Sequence, residues 1–296
     1  MRFLTVICAL SALAVPAAPH ASSEPRPPAP FLAKDTAELL SLLEGTWSND
    51  RQVFFAPEAG YGAESLLPLQ VMDVRAAPGG DLRLVIRTEV DGREAAEHVH
   101  QISVIGISGE PGRAIAHPSA GPAACHITWQ RAAGGFTGSL VGADCGPAVS
   151  FPPGVGAQSL TVSVSGSEFF ISDGAREIRF RRARPFECWV GVLRGASHGD
   201  SGEGLSDWDF RQGISLHDQG GQAQIETDET PPRRISLKLR DVDWPFGERR
   251  PSLTLYVHEA DDPRAVSYAW AEGGSDRIGI NLRWLQASCT RQGAGD

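Results

Sequence analysis

His98-Val99-His100 sets two imidazoles two positions apart. In an extended strand such residues point to one face, and neutral imidazole is a good transition-metal ligand, so the pair could form half of a metal site. His126 and Glu89 are candidates to complete it, but no third ligand is identifiable and no metal is predicted. The pair reads first as ordinary strand histidines, with polar lining or a ligand contact inside a barrel as the alternative. Gly199-Asp200-Ser201-Gly202, after His198, has the form of a serine-nucleophile loop. That chemistry needs a histidine base oriented by a buried aspartate; no matching segment precedes it, so a plain loop is predicted. His217-Asp218-Gln219-Gly220-Gly221 follows the alternation Ile214, Leu216 and reads as a hairpin turn, with a functional loop as the alternative. Glu259-Ala260-Asp261-Asp262-Pro263 offers oxygen ligands without the spacing of an EF-hand calcium loop and reads as a solvated turn.

The 7 tryptophans are the remaining unusual feature: Trp47, Trp129, Trp189, Trp208, Trp244, Trp270 and Trp284. Aromatics of a β protein are mostly core, each burying roughly 150–250 Å². Any that stay exposed would offer carbohydrate a stacking face.

Charge narrows the partners. With 27 Lys+Arg against 36 Asp+Glu, a net charge of −9 and Lys34 and Lys238 as its lysines, the chain lacks a basic surface for phosphates. Nucleic acid is therefore not an expected partner. Met1-Arg2, the apolar run Phe3 to Val15 and the small residues that follow read as a signal peptide over residues 1–21. No later segment reaches the roughly 20 apolar residues of a membrane helix. An exported protein, periplasmic or secreted, is predicted. Cys8 falls within the leader, leaving Cys125, Cys145, Cys188 and Cys289 for an oxidising compartment. Of the possible pairings we choose Cys125–Cys145, across a local hairpin, and Cys188–Cys289, which closes the C-terminal region on itself.

Residues 22–34, rich in Pro, Ala and Ser, read as a linker. Asp35 and Glu38 resemble a capping box, leucines then recur at helical spacing, and Gly45 can end the helix. From Thr46 onward short alternating runs separated by turn residues predict strands. The first set covers Trp47–Phe54, Leu69–Val74, Leu82–Glu89, Glu97–Ile105, His126–Arg131, Thr137–Val141, Leu160–Ser165, Glu168–Ser172 and Glu177–Arg182. The second, after Pro185, covers Cys188–Leu193, Phe210–Leu216, Ala223–Thr227, Ile235–Val242, Leu253–Glu259, Ser267–Ala271 and Ile278–Trp284. The fold class is all-β: an antiparallel barrel with one short helix over residues 35–185, then a second β domain, a sandwich, over residues 186–296.

Gly45-Thr46-Trp47 after a helix resembles the opening of lipocalin-type barrels, whose indole plugs one end beneath an arginine of the last strand. Arg179, Arg181 and Arg182 lie on that strand, and Arg181 is the choice. A longer resemblance runs over roughly residues 36 to 184. Gly45-Thr46-Trp47-Ser48 with Gln52, then Cys125-His126-Ile127-Thr128-Trp129-Gln130, Phe136-Thr137-Gly138 and Cys145, and the closing Phe180-Arg181-Arg182 are similar to the CpcT/CpeT family of phycobiliprotein chromophore lyases. The resemblance implies a lipocalin-like barrel that holds a linear tetrapyrrole, or another small hydrophobic ligand, and presents it to an acceptor cysteine. Gln52, His98, His100 and Trp129 are the implied ligand contacts, with Trp47 and Arg181 closing the barrel. The family's Pro-Tyr-Arg-Gln-Arg segment falls at Glu97 to Ile102, which holds neither tyrosine nor arginine, so enzymatic activity stays open. The alternative is a non-catalytic envelope or surface module whose C-terminal domain binds a glycan or a protein. A polar cavity in the barrel favours the first reading; a filled barrel with aromatics exposed on the second domain favours the other.

Overall fold

The computed structural model of the chain describes residues 33–56, 68–77, 82–90, 93–105, 112–117, 126–141, 160–195, 207–243, 250–260, 262 and 264–293. The expected leader, Cys125 and Cys145, Trp244 and the Ser201 loop lie outside them. The N-terminal elements are α1 (Ala33–Leu43), β1 (Gly45–Ser48), α2 (Asp50–Phe55), β2 (Leu69–Ala76), β3 (Leu82–Val90), β4 (Arg93–Ile105), β5 (Gly112–His117), β6 (His126–Ala132), β7 (Gly135–Val141), β8 (Thr161–Ser165), β9 (Glu168–Ser172) and β10 (Glu177–Ala183). There follow β11 (Pro185–Leu193), β12 (Trp208–His217), β13 (Gln219–Glu226), β14 (Arg234–Asp243), β15 (Pro251–Glu259), β16 (Ser267–Glu272), β17 (Arg277–Asn281) and β18 (Leu285–Arg291).

The chain is mostly β, in antiparallel sheets. Neighbours run β1-β10-β9-β8-β7-β6-β5-β4-β3-β2, and β1 pairs with β2 as well as β10, so the ring of pairings closes. Its inward positions, among them Trp47, Met72, Ile86, Phe136, Val164 and Phe180, form one apolar cluster under Leu39 and Leu43 of α1. Asp35 lies in the first turn of α1 rather than ahead of it, and with Glu38 it receives the Arg131 guanidinium of β6 instead of capping the helix. Trp47 is fully buried and donates its Nε1–H to the Leu43 carbonyl at 2.9 Å. The arginine over its ring, 4.3 Å from the centroid, is Arg182 and not Arg181. Side chains alternate along a strand. Arg182 is the register partner of Trp47 and shares its face, whereas Arg181 pairs with Ser48 and reaches Glu168. Gly45 leaves room for this arrangement, since a Cβ there would stand 2.6 Å from Arg182 Nη1.

The strand expected over Trp47–Phe54 stops at Ser48, and Asp50–Phe55 is a second helix. Ser48 Oγ accepts the Asp50 amide at 3.1 Å, a local bond that competes with the ladder. Two amide side chains replace the missing strand. Asn49 Oδ1 accepts from Gln70 N (2.7 Å) and its Nδ2 donates to Pro68 O (3.0 Å) on the β2 side. Gln52 Oε1 accepts from Arg179 N and its Nε2 donates to Glu177 O on the β10 side, both at 2.9 Å. A primary amide carries a donor and an acceptor, as a strand residue does, which is why Asn and Gln serve here.

Beyond β10 a single residue, Arg184, leads into the C-terminal unit of two four-stranded sheets, β12-β11-β18-β17 and β13-β14-β15-β16. Their buried residues, from Phe186 through Leu237 and Leu255 to Leu285, form one apolar cluster. A disulfide joins Cys188 to Cys289, directly paired positions of β11 and β18. His217 to Gly221 is not a hairpin turn: β12 and β13 belong to different sheets, and the segment is the corner where the chain changes sheet. Asp218, 1% exposed, fixes that corner by accepting the Arg184 amide at 2.8 Å and its guanidinium.

The corner also meets the ring. Asp50 is 3% exposed and takes Arg240 of β14 in a two-pronged pair, at 2.6 and 2.8 Å, with Lys238 Nζ at 3.8 Å. A Cβ at Gly220 would lie 2.3 Å from the Asp50 carboxylate, so only glycine permits this approach. Burial alone would raise the Asp50 pKa, but the Arg240 hydrogen bonds and charge outweigh it and hold the group below the usual carboxylate range.

Candidate functional site

β16 is the edge strand of its sheet, paired with β15 alone, and its residues alternate half-buried and exposed. The small residues Ala269 and Ala271 turn toward the core, which places Tyr268, Trp270 and Glu272 together on the outer face. Trp270 is 71% exposed and Tyr268 64%. Such exposure is uncommon for rings that would each bury roughly 150–250 Å². Tyr256, the register partner of Tyr268, continues the platform on β15 with ring centroids 6.3 Å apart. Arg240 then lies 5.9 Å from the Tyr256 ring and 4.0 Å from that of Phe54 in α2, so the line of aromatic faces crosses the sheet onto the ring. Through its pair with Asp50, Arg240 fixes the inner end of this line.

Polar groups border the platform. His258 lies tilted beside Tyr256, ring centroids 6.4 Å apart, and burial holds its imidazole pKa below the ordinary value. Its Nε2 is buried without a hydrogen-bond partner. Lys238 is the register partner of Tyr256 on the other flank. The face thus joins flat apolar rings to a carboxylate, an ammonium and an imidazole. No cluster of three metal-ligating side chains occurs among the described residues.

Apart from Trp270, the residues singled out in the sequence fall elsewhere. Gln52 completes the β10 ladder, as described above. His98 sits opposite Ile86 on β4 and is exposed; His100 occupies the next position of the same parity, opposite Leu84. The side chains of His100, His126 and Glu89 lie outside the described residues. Trp129 is 2% exposed inside the ring, and its Nε1–H has no hydrogen-bond partner. Asp262 of the oxygen-rich turn accepts the Arg264 amide at 2.9 Å. Trp284 is buried, and Trp189 and Trp208 are half-buried. The alternation Tyr-Ala-Trp-Ala-Glu is the signal that marks the β16 platform: small residues on one parity, rings on the other.

Comparison of the chain with family models, curated proteins and solved structures finds no match.

Proposed function

We propose that the chain is an exported, non-catalytic β protein whose C-terminal unit, a β-sandwich, binds a neutral glycan on the outer face of β16. The observation that carries this reading is the pair Trp270 and Tyr268, exposed together on one edge strand. Sugar rings present C–H faces that stack on indole and phenol, and their hydroxyls would meet Glu272 and Lys238 at the border. The net charge of −9 disfavours acidic glycans. Covering roughly 100 Å² of the indole at about 25 cal/mol per Å² contributes about 2.5 kcal/mol, or ~70-fold in affinity. Isothermal titration of neutral hexasaccharides into the mature protein is therefore expected to show binding that Trp270→Ala weakens by about that factor. Equal affinity and equal stoichiometry in parent and variant would reject the platform.

A second reading has the N-terminal ring as a lipocalin-like barrel of CpcT/CpeT type carrying a hydrophobic or tetrapyrrole-like molecule. The unpartnered indole N–H of Trp129 favours it, since a buried donor without an acceptor is costly unless a ligand or water supplies one. Native mass spectrometry of protein from its own source is the test: an added mass of a few hundred daltons supports a carrier, and a bare chain that ignores biliverdin rejects it.

A further inference from the structure

The opposite sheet carries an open surface pocket of about 450 Å³ lined by Glu187, Trp189, Gln212, Thr290, Arg291 and Gln292. This lies within the roughly 300–1,000 Å³ typical of ligand sites. It is built into the fold. Cys188 and Cys289 turn inward to form their disulfide, so the next residues along, Trp189 and Thr290, turn outward. Thr290 stands opposite Glu187 in register. On β12 the register slips between the partners of Cys188 and Val190: Ile214 opposes the first and Arg211 the second, leaving both Gln212 and Gly213 against Trp189. Gly213 has φ +69°, the left-handed conformation of a bulge residue. Bulges re-aim side chains and end pairing, and here one opens the floor beside the indole. Glu187 accepts a long hydrogen bond from the Gln292 amide at 3.5 Å, and the Arg291 guanidinium is held by Asp276 at 2.9 Å.

From this geometry we propose that the cavity is a second sugar-binding pocket for one unit of a neutral oligosaccharide. Trp189 is its stacking face; Glu187, Gln212 and Gln292 are its hydroxyl partners. Carboxylate and amide groups suit sugars because each engages two neighbouring hydroxyls, and the carboxylate repels an anionic ligand. The disulfide keeps β11 and β18 in register beneath the pocket, so little ordering remains to be done on binding. The proposal rests on the glycan reading of the β16 face and makes the C-terminal unit bivalent, one site on each outer face.

Cello-, laminari-, malto- and chitohexaose, titrated into the full mature chain, test it by native mass spectrometry for the number bound and by calorimetry for affinity. The parent is expected to bind two molecules of at least one oligosaccharide, with Trp189→Ala and Trp270→Ala each retaining one. Gln212→Ala, a change at an exposed bulge residue checked by circular dichroism, is expected to weaken the Trp189 site at least fivefold and so guards against misfolding of the tryptophan variant. One molecule bound, lost in Trp270→Ala and unaffected by Trp189→Ala or Gln212→Ala, would overturn the pocket and leave the platform standing. No binding of any of the four would overturn both.

Discussion

Replacing Arg240 with methionine keeps much of the volume that packs on Phe54 but leaves the Asp50 carboxylate enclosed, with Lys238 Nζ at 3.8 Å as its remaining cation. Removing one partner of a buried pair costs about 3–5 kcal/mol, because the other charge stays out of water without compensation. The nearby ammonium points to the lower end. In a chain of this size each kcal/mol shifts the thermal midpoint by about 2–4 °C, so Arg240→Met is expected to unfold about 6–20 °C lower. Removing both charges in Asp50→Leu/Arg240→Met should recover at least about half of the loss, since a well-packed apolar pair replaces such a bridge at little cost. Because the folded Asp50 pKa is lowered, its contribution is complete above the unfolded-state value of 3.8 and is lost as pH falls through the folded value. The gap between parent and variant therefore narrows in acid. Tryptophan fluorescence and near-ultraviolet circular dichroism report both units of the chain during heating. A variant within about 2 °C of the parent, or a double variant no better than the single, would refute the view that this pair holds the ring to the C-terminal unit.

Burial lowers the His217 pKa against the opposing charges of Asp218, Asp50 and Asp73. The unfolded chain thus binds a proton near pH 6.5 that the folded chain refuses, and stability falls as pH drops below that value; His217→Gln should flatten this part of a curve of urea midpoints against pH. The Cys188–Cys289 bridge closes a sequence separation of 101 residues, so Cys188→Ala/Cys289→Ala is expected to lose about 2–4 kcal/mol in urea unfolding. Gln52→Leu removes two bonds to the β10 backbone and should cost about 1–2 kcal/mol with glycan affinity unchanged. A fall in glycan affinity would instead tie Gln52 to the site.

Period-2 alternation located most strands but missed β5 (Gly112–His117) and β18 (Leu285–Arg291), the latter with Ala287, Ser288 and Cys289 all buried and so without a polar parity. It also failed where side chains replaced the ladder. Trp47 to Phe54 reads as one strand, yet the Ser48 hydroxyl, the Asn49 and Gln52 amides and the pull of Arg240, far along the chain, turn the second half into a helix. The choice between Arg181 and Arg182 depended on the register with Trp47, which no local pattern states. The corner at Asp218 resembles a hairpin because its glycines are the same; what distinguishes it is the grip of Arg184. Tryptophan content pointed to a possible stacking surface, but the rings that carry it were separable only once exposure was known. The pocket around Trp189 depends on a bulge beside a disulfide: the Cys188–Cys289 pairing is legible in the sequence, whereas the slip of register on β12 is not.

Titration of neutral hexasaccharides into the parent and into Tyr268→Ala/Trp270→Ala, followed by calorimetry, tests the proposed function most directly. Binding in the parent that falls at least about 50-fold at the β16 site in the double variant, with unchanged circular dichroism, is the predicted result. A double variant that binds as many molecules as the parent at unchanged affinity, or a parent that binds none of these sugars, would contradict it.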